Sequence, residues 1–364
     1  MAERSESRPS REEPPNTGLS YPRASARQAP MLPNPPVATE RPSGPALRRE
    51  LGATDLAITR IGLGTWAIGG GGWEFAWGPQ DDERSKQAIR RAVEQGMNWI
   101  DTAPAYGTGH SEGLIGETLQ DLPQAPQVFT KVSLRWDSDR RIVHNLRADS
   151  IRFEVGESLR RLRVDALDLV QVHWPIPEAD IEEGWRTLAE LKDRGLVRHI
   201  GVSNFDVGQM ERAAAIAPVE TLQPPYSLVH PEVEREILPY ARAHRIGVIV
   251  YSPMGSGLLT GSMTPERVAH LPDDDWRRGD PEFQGARLAR HRALAQLLAE
   301  IGQEHGGRSS AEVAIAWTLS NPAVTGAIVG ARSPQQVDGF SGALGLVLNA
   351  SDLERIAAFR QQRP

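Results

Sequence analysis

Between residues 61 and 329 short apolar runs alternate with longer stretches of helical periodicity, and this alternation leaves the chain very few architectures. Runs at 61–66, 98–101, 128–131, 167–172, 197–202, 221–223, 247–251 and 324–329 read as strands. The intervening stretches 82–95, 111–120, 181–194, 206–217, 233–244, 288–303 and 309–320 read as helices, as does the segment with Ile151, Val155, Leu159 and Leu162 on one face. Ser309 and Glu312 have capping-box spacing, and further helices from about Pro334 and Ser351 close the chain. Ahead of the first strand, 47–51 and 56–60 flank a turn as a small hairpin. The pattern predicts an α/β fold, a (β/α)8 TIM barrel with an N-terminal β-hairpin and extra C-terminal helices. An open doubly wound sheet is the competing architecture. Gly62-Leu-Gly64-Thr-Trp-Ala67 matches its glycine-rich dinucleotide fingerprint, but that motif requires a helix to start inside it. Here Gly69-Gly-Gly-Gly72 and Trp73 follow, and the next helix starts near Asp82; the match is a decoy, and 69–72 reads as a flexible loop at the barrel mouth.

Composition narrows the function. The chain has 364 residues, 39% of them hydrophobic, enough for a large core. A formal net charge of -6 offers no basic surface for nucleic acid. There is no cysteine, which excludes disulfides and thiolate metal sites and fits a reducing cytosol. No apolar run is long enough to span a bilayer, and the opening residues carry Glu and Arg, so neither membrane contact nor a secretory signal is expected and the location is read as cytoplasmic. Residues 1–45 stand apart. Ten prolines and few large apolar side chains predict a disordered tail, with 46–364 as the folded domain and Met31 as a candidate start.

In a barrel of this kind chemistry sits at the C-terminal ends of the strands. In order, those ends deliver Thr65 and Trp66; Asp101 and then Tyr106; Lys131; His173 and Trp174; Ser203 and Asn204; Gln223; Tyr251 and Ser252; and Gly330, Ala331 and Arg332. Three consecutive strands end in ionisable residues that a core does not need. Lysine occurs only at 86, 131 and 192, and the first and last fall on helices, where solvated lysines are ordinary. A lysine at a barrel strand end therefore points to a compact charge with a tunable pKa. No histidines are spaced for metal, so no metal site is expected. A Gly-x-Ser-x-Gly elbow is absent, and Tyr106 is followed four residues on by His110 rather than lysine.

Asp101-Thr-Ala-x-x-Tyr106-Gly, Lys131 after Phe-Thr, Gln171-Val-His173-Trp-Pro, Gly201-Val-Ser-Asn204-Phe, Gln223-x-x-Tyr226 and Tyr251-Ser-Pro-Met-Gly-Ser-Gly-Leu-Leu-Thr-Gly261 together resemble the aldo-keto reductases. The resemblance runs from about residue 47 to the end. It implies a catalytic tetrad of Asp101, Tyr106, Lys131 and His173. The chemistry agrees: hydride addition to a carbonyl builds negative charge on oxygen, which needs a proton donor and an electrostatic partner. A nearby ammonium would lower the phenol's pKa, Asp101 would hold Lys131, and His173 would orient the carbonyl. The implied cofactor is NADP(H), extended across the mouth. Tyr251 would stack on the nicotinamide; Ser203, Asn204 and Gln223 would hold its carboxamide; Thr65, Trp66 and Asp101 would lie beside it. The loop with Ser252, Pro253, Gly257, Leu258 and Gly261 would cover the pyrophosphate, in keeping with phosphate sites after strands seven and eight of barrels.

Gly330, Arg332 and Gln336 would carry the adenosine end, with Arg332 on the 2′-phosphate. Ser333-Pro-Gln-Gln336 also has capping-box spacing, which gives Gln336 a purely structural alternative. The family usually has Asn where this chain has Phe340, which removes one adenine contact. Trp66, Tyr106, His173 and Trp174 would meet a small carbonyl substrate, and Trp73, Trp77 and Trp136 suggest an aromatic-lined entrance. The insert 262–285 reads as a pocket-shaping or cofactor-covering segment, or else as a solvated loop. The resulting expectation is an NADPH-dependent carbonyl reductase, monomeric or weakly homo-oligomeric. The alternative from another class is a cofactor-binding regulatory subunit of a membrane channel, with little turnover.

Overall fold

Eight parallel strands close on themselves in the computed structural model, which describes residues 48–362. The tail expected over 1–45 lies outside the described residues. The chain enters through an antiparallel hairpin, β1 (Arg48–Glu50) and β2 (Ala57–Thr59). The barrel then starts with β3 (Ile61–Gly64), β4 (Trp99–Asp101) and β5 (Gln127–Val132). A second hairpin, β6 (Leu134–Trp136) and β7 (Ile142–His144), interrupts it. The barrel resumes with β8 (Leu167–Val172), β9 (Val197–Ser203), β10 (Thr221–Gln223), β11 (Gly247–Val250) and β12 (Gly326–Gly330). Each barrel strand lies beside the next in sequence, and β12 closes on β3.

The helices on the outside are α1 (Asp82–Glu94), α2 (His110–Leu119), α3 (Ala148–Leu162), α4 (Ile181–Asp193), α5 (Val207–Ala214) and α6 (Ile237–Ala243). They continue with α7 (Pro265–Ala269), α8 (Gly285–Glu304), α9 (Ser310–Thr318), α10 (Pro334–Ser341) and α11 (Ala350–Gln361). Local chemistry starts several of them. The expected capping box of Ser309 and Glu312 opens α9, and Asp206 with Gln209 does the same for α5. The apolar face read from α3 is buried through Ile151, Val155 and Leu162.

Three segments differ from the sequence expectation, and a fourth had two readings open. The helix expected over 233–244 is split into a 3-10 turn at Glu232–Glu234 and α6. Pro239 falls in the first turn of α6, where a missing N–H leaves no bond unmade, so the helix restarts just ahead of it. The β6–β7 hairpin was not expected. The loop after Gly69 is anchored rather than flexible: Trp73 and Ala76 are buried against Ala103 and Tyr106. The insert 262–285 folds as α7 and two 3-10 turns over an apolar cluster of its own, made by Leu258, Met263, Val268, Leu271, Phe283 and Leu288.

The barrel interior is layered. Trp99, Phe129, Leu169, Ile249 and Ile328 fill the floor together with Leu51, Leu56 and Ile58 from the hairpin, which plugs the barrel from below. Two residues further along their strands come Asp101, Lys131, Gln171 and Tyr251, brought to the same inner side by the period of two.

Candidate active site

Asp101 ends β4, and Lys131 stands on the neighbouring β5 with its side chain fully buried. Its Nζ donates to Asp101 Oδ1 at 2.6 Å, to the Thr102 carbonyl at 3.0 Å and to the Tyr106 hydroxyl at 3.4 Å. Three acceptors match the three hydrogens of an ammonium. The phenol oxygen accepts from lysine and keeps its own hydrogen for another partner. Gly107 makes the placement of Tyr106 possible, because at φ +64° a Cβ there would sit 2.0 Å from the Gly69 carbonyl oxygen.

Burial sets the electrostatics. It pushes the Asp101 carboxyl up and the Lys131 ammonium down, and each is opposed by the charge of the other. Burial first, and the Asp101 carboxylate second, hold the Tyr106 phenol well above its ordinary value. The phenol is therefore protonated at neutral pH, whereas proximity to lysine alone had suggested a lowered value. His173 follows β8 with its ring edge-on to Tyr106, centroids 5.9 Å apart at 81°. Burial, and then the Lys131 charge, hold its imidazole well below the usual range, so it is neutral at pH 7. Its Nδ1 is buried and has no hydrogen-bond partner among the described residues.

The ends of β8 to β11 are laced together. Asn204 Nδ2 donates to the His173 carbonyl at 2.9 Å and to Ser203 Oγ at 3.1 Å, while Ser203 Oγ donates to the Gln223 carbonyl at 2.8 Å. The Tyr251 hydroxyl donates to Asn204 Oδ1 at 2.8 Å. Asn204 at φ +63° and Ser252 at φ +55° both hold left-handed backbone, a conformation non-glycine residues seldom keep without a local reason. Gln223 Nε2 donates to Asp101 Oδ2 at 2.8 Å and to Gln171 Oε1 at 2.7 Å. Gln171 was not singled out from the sequence. The signal was there: a polar side chain two residues before His173 and two after the buried Leu169, on the inward side of the strand.

Other expected residues are held more locally. Thr65 Oγ1 donates to the Asp101 carbonyl at 2.9 Å, so its hydroxyl fixes the end of β4. Ser133 Oγ brackets Trp174, accepting from its N at 3.3 Å and donating to its carbonyl at 3.2 Å. Trp136 stands in the β6–β7 hairpin opposite Ile142. The entrance is instead a stack of rings. Trp66 lies over Tyr106 at 6.2 Å and runs parallel to Trp276 at 6.0 Å and 2°. Trp77 meets both tryptophans edge-on. Arg277 sits 4.3 Å over the Trp77 ring and pairs with the buried Asp275 at 2.6 Å. Asp275, Trp276 and Arg277 come from the insert that the sequence offers as a pocket-shaping segment; what they pack against was not legible, because nothing local names a ring some two hundred residues away.

The run after Ser252 and Pro253 is a 3-10 stretch, Gly255–Thr260, with left-handed backbone at Gly255, Ser256 and Gly257 and again at Gly261. The Leu258 side chain is buried in the insert's cluster, which leaves only its backbone to face a ligand. Gly330 ends β12. Arg332 Nε donates to Gln80 Oε1 at 2.7 Å and Nη1 to the Trp77 carbonyl at 2.9 Å, with Nη2 on the Pro79 carbonyl. Gln336 accepts from Arg332 N at 2.7 Å and donates its own N–H to Ser333 Oγ at 3.3 Å, the capping arrangement. Phe340 is buried in the main core. Among the described residues no cluster of His, Asp and Glu could hold a metal ion.

Comparison with known proteins agrees with the fold. The model of the aldo/keto reductase family matches residues 60–361. The aldo-keto reductase YhdN of Bacillus subtilis (strain 168) is 41% identical over 305 residues, covering 83% of this chain and 90% of that protein. An NADH-specific methylglyoxal reductase of Escherichia coli (strain K12) is 34% identical, covering 83% of this chain and 94% of the relative. Among solved structures, a glycerol dehydrogenase from Gluconobacter oxydans superposes with a TM-score of 0.78 at 37% identity, covering 86% of this chain and 95% of that one. Match and barrel together give the assignment: the chain belongs to the aldo/keto reductase family, whose members are oxidoreductases of carbonyl compounds.

Proposed function

We propose that this protein reduces an aldehyde or ketone to the alcohol with NADP(H), Tyr106 giving the proton to the carbonyl oxygen. The observation that carries this reading is the buried Lys131 ammonium shared between Asp101 and the Tyr106 hydroxyl. Bound NADPH supplies the hydride. Every other task falls to this chain. The Tyr106 hydrogen is free to point at a substrate oxygen, since the phenol oxygen already accepts from lysine. As that hydrogen leaves, the ammonium stabilises the phenolate that burial otherwise disfavours. Such a proton transfer contributes roughly 10²–10⁴-fold in rate. Neutral His173 has a ring N–H with which to orient the carbonyl. The Trp66 and Trp276 rings wall the entrance, and excluding water there strengthens each of these interactions.

The strand ends suit the cofactor. Ser203, Asn204 and Gln223 offer a set of amide and hydroxyl groups complementary to a carboxamide, and Tyr251 lies beside them. The left-handed run Gly255 to Gly257 presents backbone rather than side chains, as close approach to a pyrophosphate requires. Preference for NADP(H) rests on Arg332. Its guanidinium is held below its usual pKa by burial and then by the neighbouring Arg277, with Arg84 adding to the same effect and Asp275 and Asp274 offsetting part of it. A phosphate dianion relieves that crowding of positive charge. One relative is named NADH-specific, so both cofactors belong in the test.

Oxidation of NADPH and of NADH is to be followed against a panel of aldehydes and ketones that includes methylglyoxal, together with the reverse reaction on glycerol. Turnover with NADPH favoured is expected, and no turnover with either cofactor on any substrate would overturn the proposal. Arg332→Ala should weaken NADPH binding by about one to two decades, roughly 1.5–3 kcal/mol for a charge-assisted contact, and leave NADH nearly unaffected. Equal losses would remove Arg332 from recognition of the 2′-phosphate.

A further inference from the structure

Gln171 lies in a row of side chains that crosses the barrel one layer above the floor. Lys131 pairs in register with Gln171, Gln171 with Gly201, and Gly201 with Thr221. Gln171 Nε2 donates to Thr221 Oγ1 at 3.1 Å, two strands away. Gly201 leaves that path open: a Cβ there would lie 1.9 Å from Thr221 Oγ1. At its other end the Gln171 oxygen takes one hydrogen of the Gln223 amide, and the second hydrogen of the same nitrogen goes to Asp101 Oδ2. Gln171, Thr221, Gln223, Asp101 and Lys131 are all at most 2% exposed. The result is a continuous chain, Thr221 to Gln171 to Gln223 to Asp101 to Lys131, that ends on the Tyr106 hydroxyl.

A buried amide nitrogen with one hydrogen unmade carries a desolvation penalty and turns to find a partner. With both hydrogens taken, its orientation is fixed. We propose that Gln171 is a positioning residue of the active site: by accepting one hydrogen of the Gln223 amide it pins the other on Asp101 Oδ2 and so holds that carboxylate toward Lys131 and Tyr106. This inference rests on the role given above to the Asp101–Lys131–Tyr106 group. It also gives Gln223 a second task besides any contact with a carboxamide, since its nitrogen is already committed and its oxygen is what remains.

The consequence is a shift in pH dependence with a definite sign. Burial raises the Asp101 carboxyl, and Lys131 and the Gln223 amide oppose that rise. The other ionisable groups facing this assembly are Tyr106 from its loop, His173 after β8, Tyr251 after β11 and Glu112 from α2. Gln171 itself bonds Thr221 and Gln223. Gln171→Leu removes the acceptor at nearly constant volume, frees the amide and leaves the carboxylate less well solvated. Its value rises further, so activity that needs the ionised form is lost at higher pH on the acidic side.

The acidic limb of kcat against pH should move up by about 0.5–1 unit in Gln171→Leu, the worth of one neutral hydrogen bond. In the protein without cofactor, the infrared band of protonated carboxyl that Asp101→Asn abolishes should appear at correspondingly higher pH. Thr221→Val, which keeps Gln171 but removes its anchor, should shift the limb in the same direction by less, and serves if Gln171→Leu fails to fold. A lowered thermal midpoint with the limb and the infrared band unmoved would show a packing role only and overturn the proposal. That outcome is distinct from failure of the proton-donor reading, which is decided by whether Tyr106→Phe keeps its turnover.

Discussion

Phe129 and Lys131 stand two residues apart on one strand, face the same inside of the barrel and are equally sealed from water, yet one is hydrocarbon and the other an ammonium. The same pairing recurs as Trp99 with Asp101, Leu169 with Gln171 and Ile249 with Tyr251. The lower member of each pair packs against the entering hairpin and stabilises by burial, about 1.5–3 kcal/mol for a large apolar side chain. The upper members are pulled from water at a cost and are retained because they and the neighbouring strand ends satisfy one another: Lys131 on Asp101, Gln223 on Asp101 and Gln171, Tyr251 on Asn204. One layer therefore holds the barrel together, and the layer above it spends stability on a pre-arranged polar group.

Changes that cross this division separate the two layers. The largest effect is expected for Lys131→Met, which leaves a side chain of similar length and no charge. Turnover should fall by roughly 10²–10⁴-fold. The thermal midpoint should suffer less than for most buried ion pairs, because burial already raises the Asp101 carboxyl and protonation relieves it once lysine is gone. Substantial turnover in that variant would place the chemistry elsewhere. Phe129→Ala is the converse. It should destabilise by about 3–5 kcal/mol, measured by denaturant unfolding, as expected for a large cavity in a floor with no room to collapse. The protein that remains folded should keep kcat, and a loss of kcat comparable to that of Lys131→Met would mean the layers are not separable.

The smallest effect belongs to the underside of the floor. His199 bridges Asp55 in the hairpin turn at 2.7 Å and Glu220 ahead of β10 at 3.0 Å. Burial lowers its imidazole, but the two carboxylate hydrogen bonds outweigh it, and the net shift is upward. A basic group raised in the folded state adds stability that is complete below its unfolded value, about 6.5, and is lost as pH rises through the folded value. Asp55 is largely exposed and Lys192 and Arg198 compete for the same carboxylates, so the clasp is worth no more than about 1 kcal/mol. His199→Gln should therefore lower the thermal midpoint most below pH 6.5, with the gap to the parent chain narrowing at alkaline pH. A gap independent of pH would show that the charge of His199 contributes nothing.

How far the sequence reveals this organisation follows from the range of each interaction. The barrel is legible because strand and helix patterns are local, and the site is legible because strand ends lie at known offsets from apolar runs. The division of α6 follows from Pro239 and could have been read. The stack of Trp276 on Trp66 and the hold of the 77–80 turn on Arg332 are different, since both join segments far apart in sequence whose partners no local pattern names. The acidity of Tyr106 shows a third limit. Proximity to lysine predicts a lowered phenol, but burial is the larger effect, and burial is a property of the packed barrel.

The most direct test of the account is Tyr106→Phe, which removes one oxygen and leaves the ring between Trp66 and His173. Turnover of a carbonyl substrate should drop by at least about 10²-fold, while NADPH still quenches the protein's fluorescence and the thermal midpoint is kept. Near-normal turnover in this variant would contradict the assignment of Tyr106 as the proton donor.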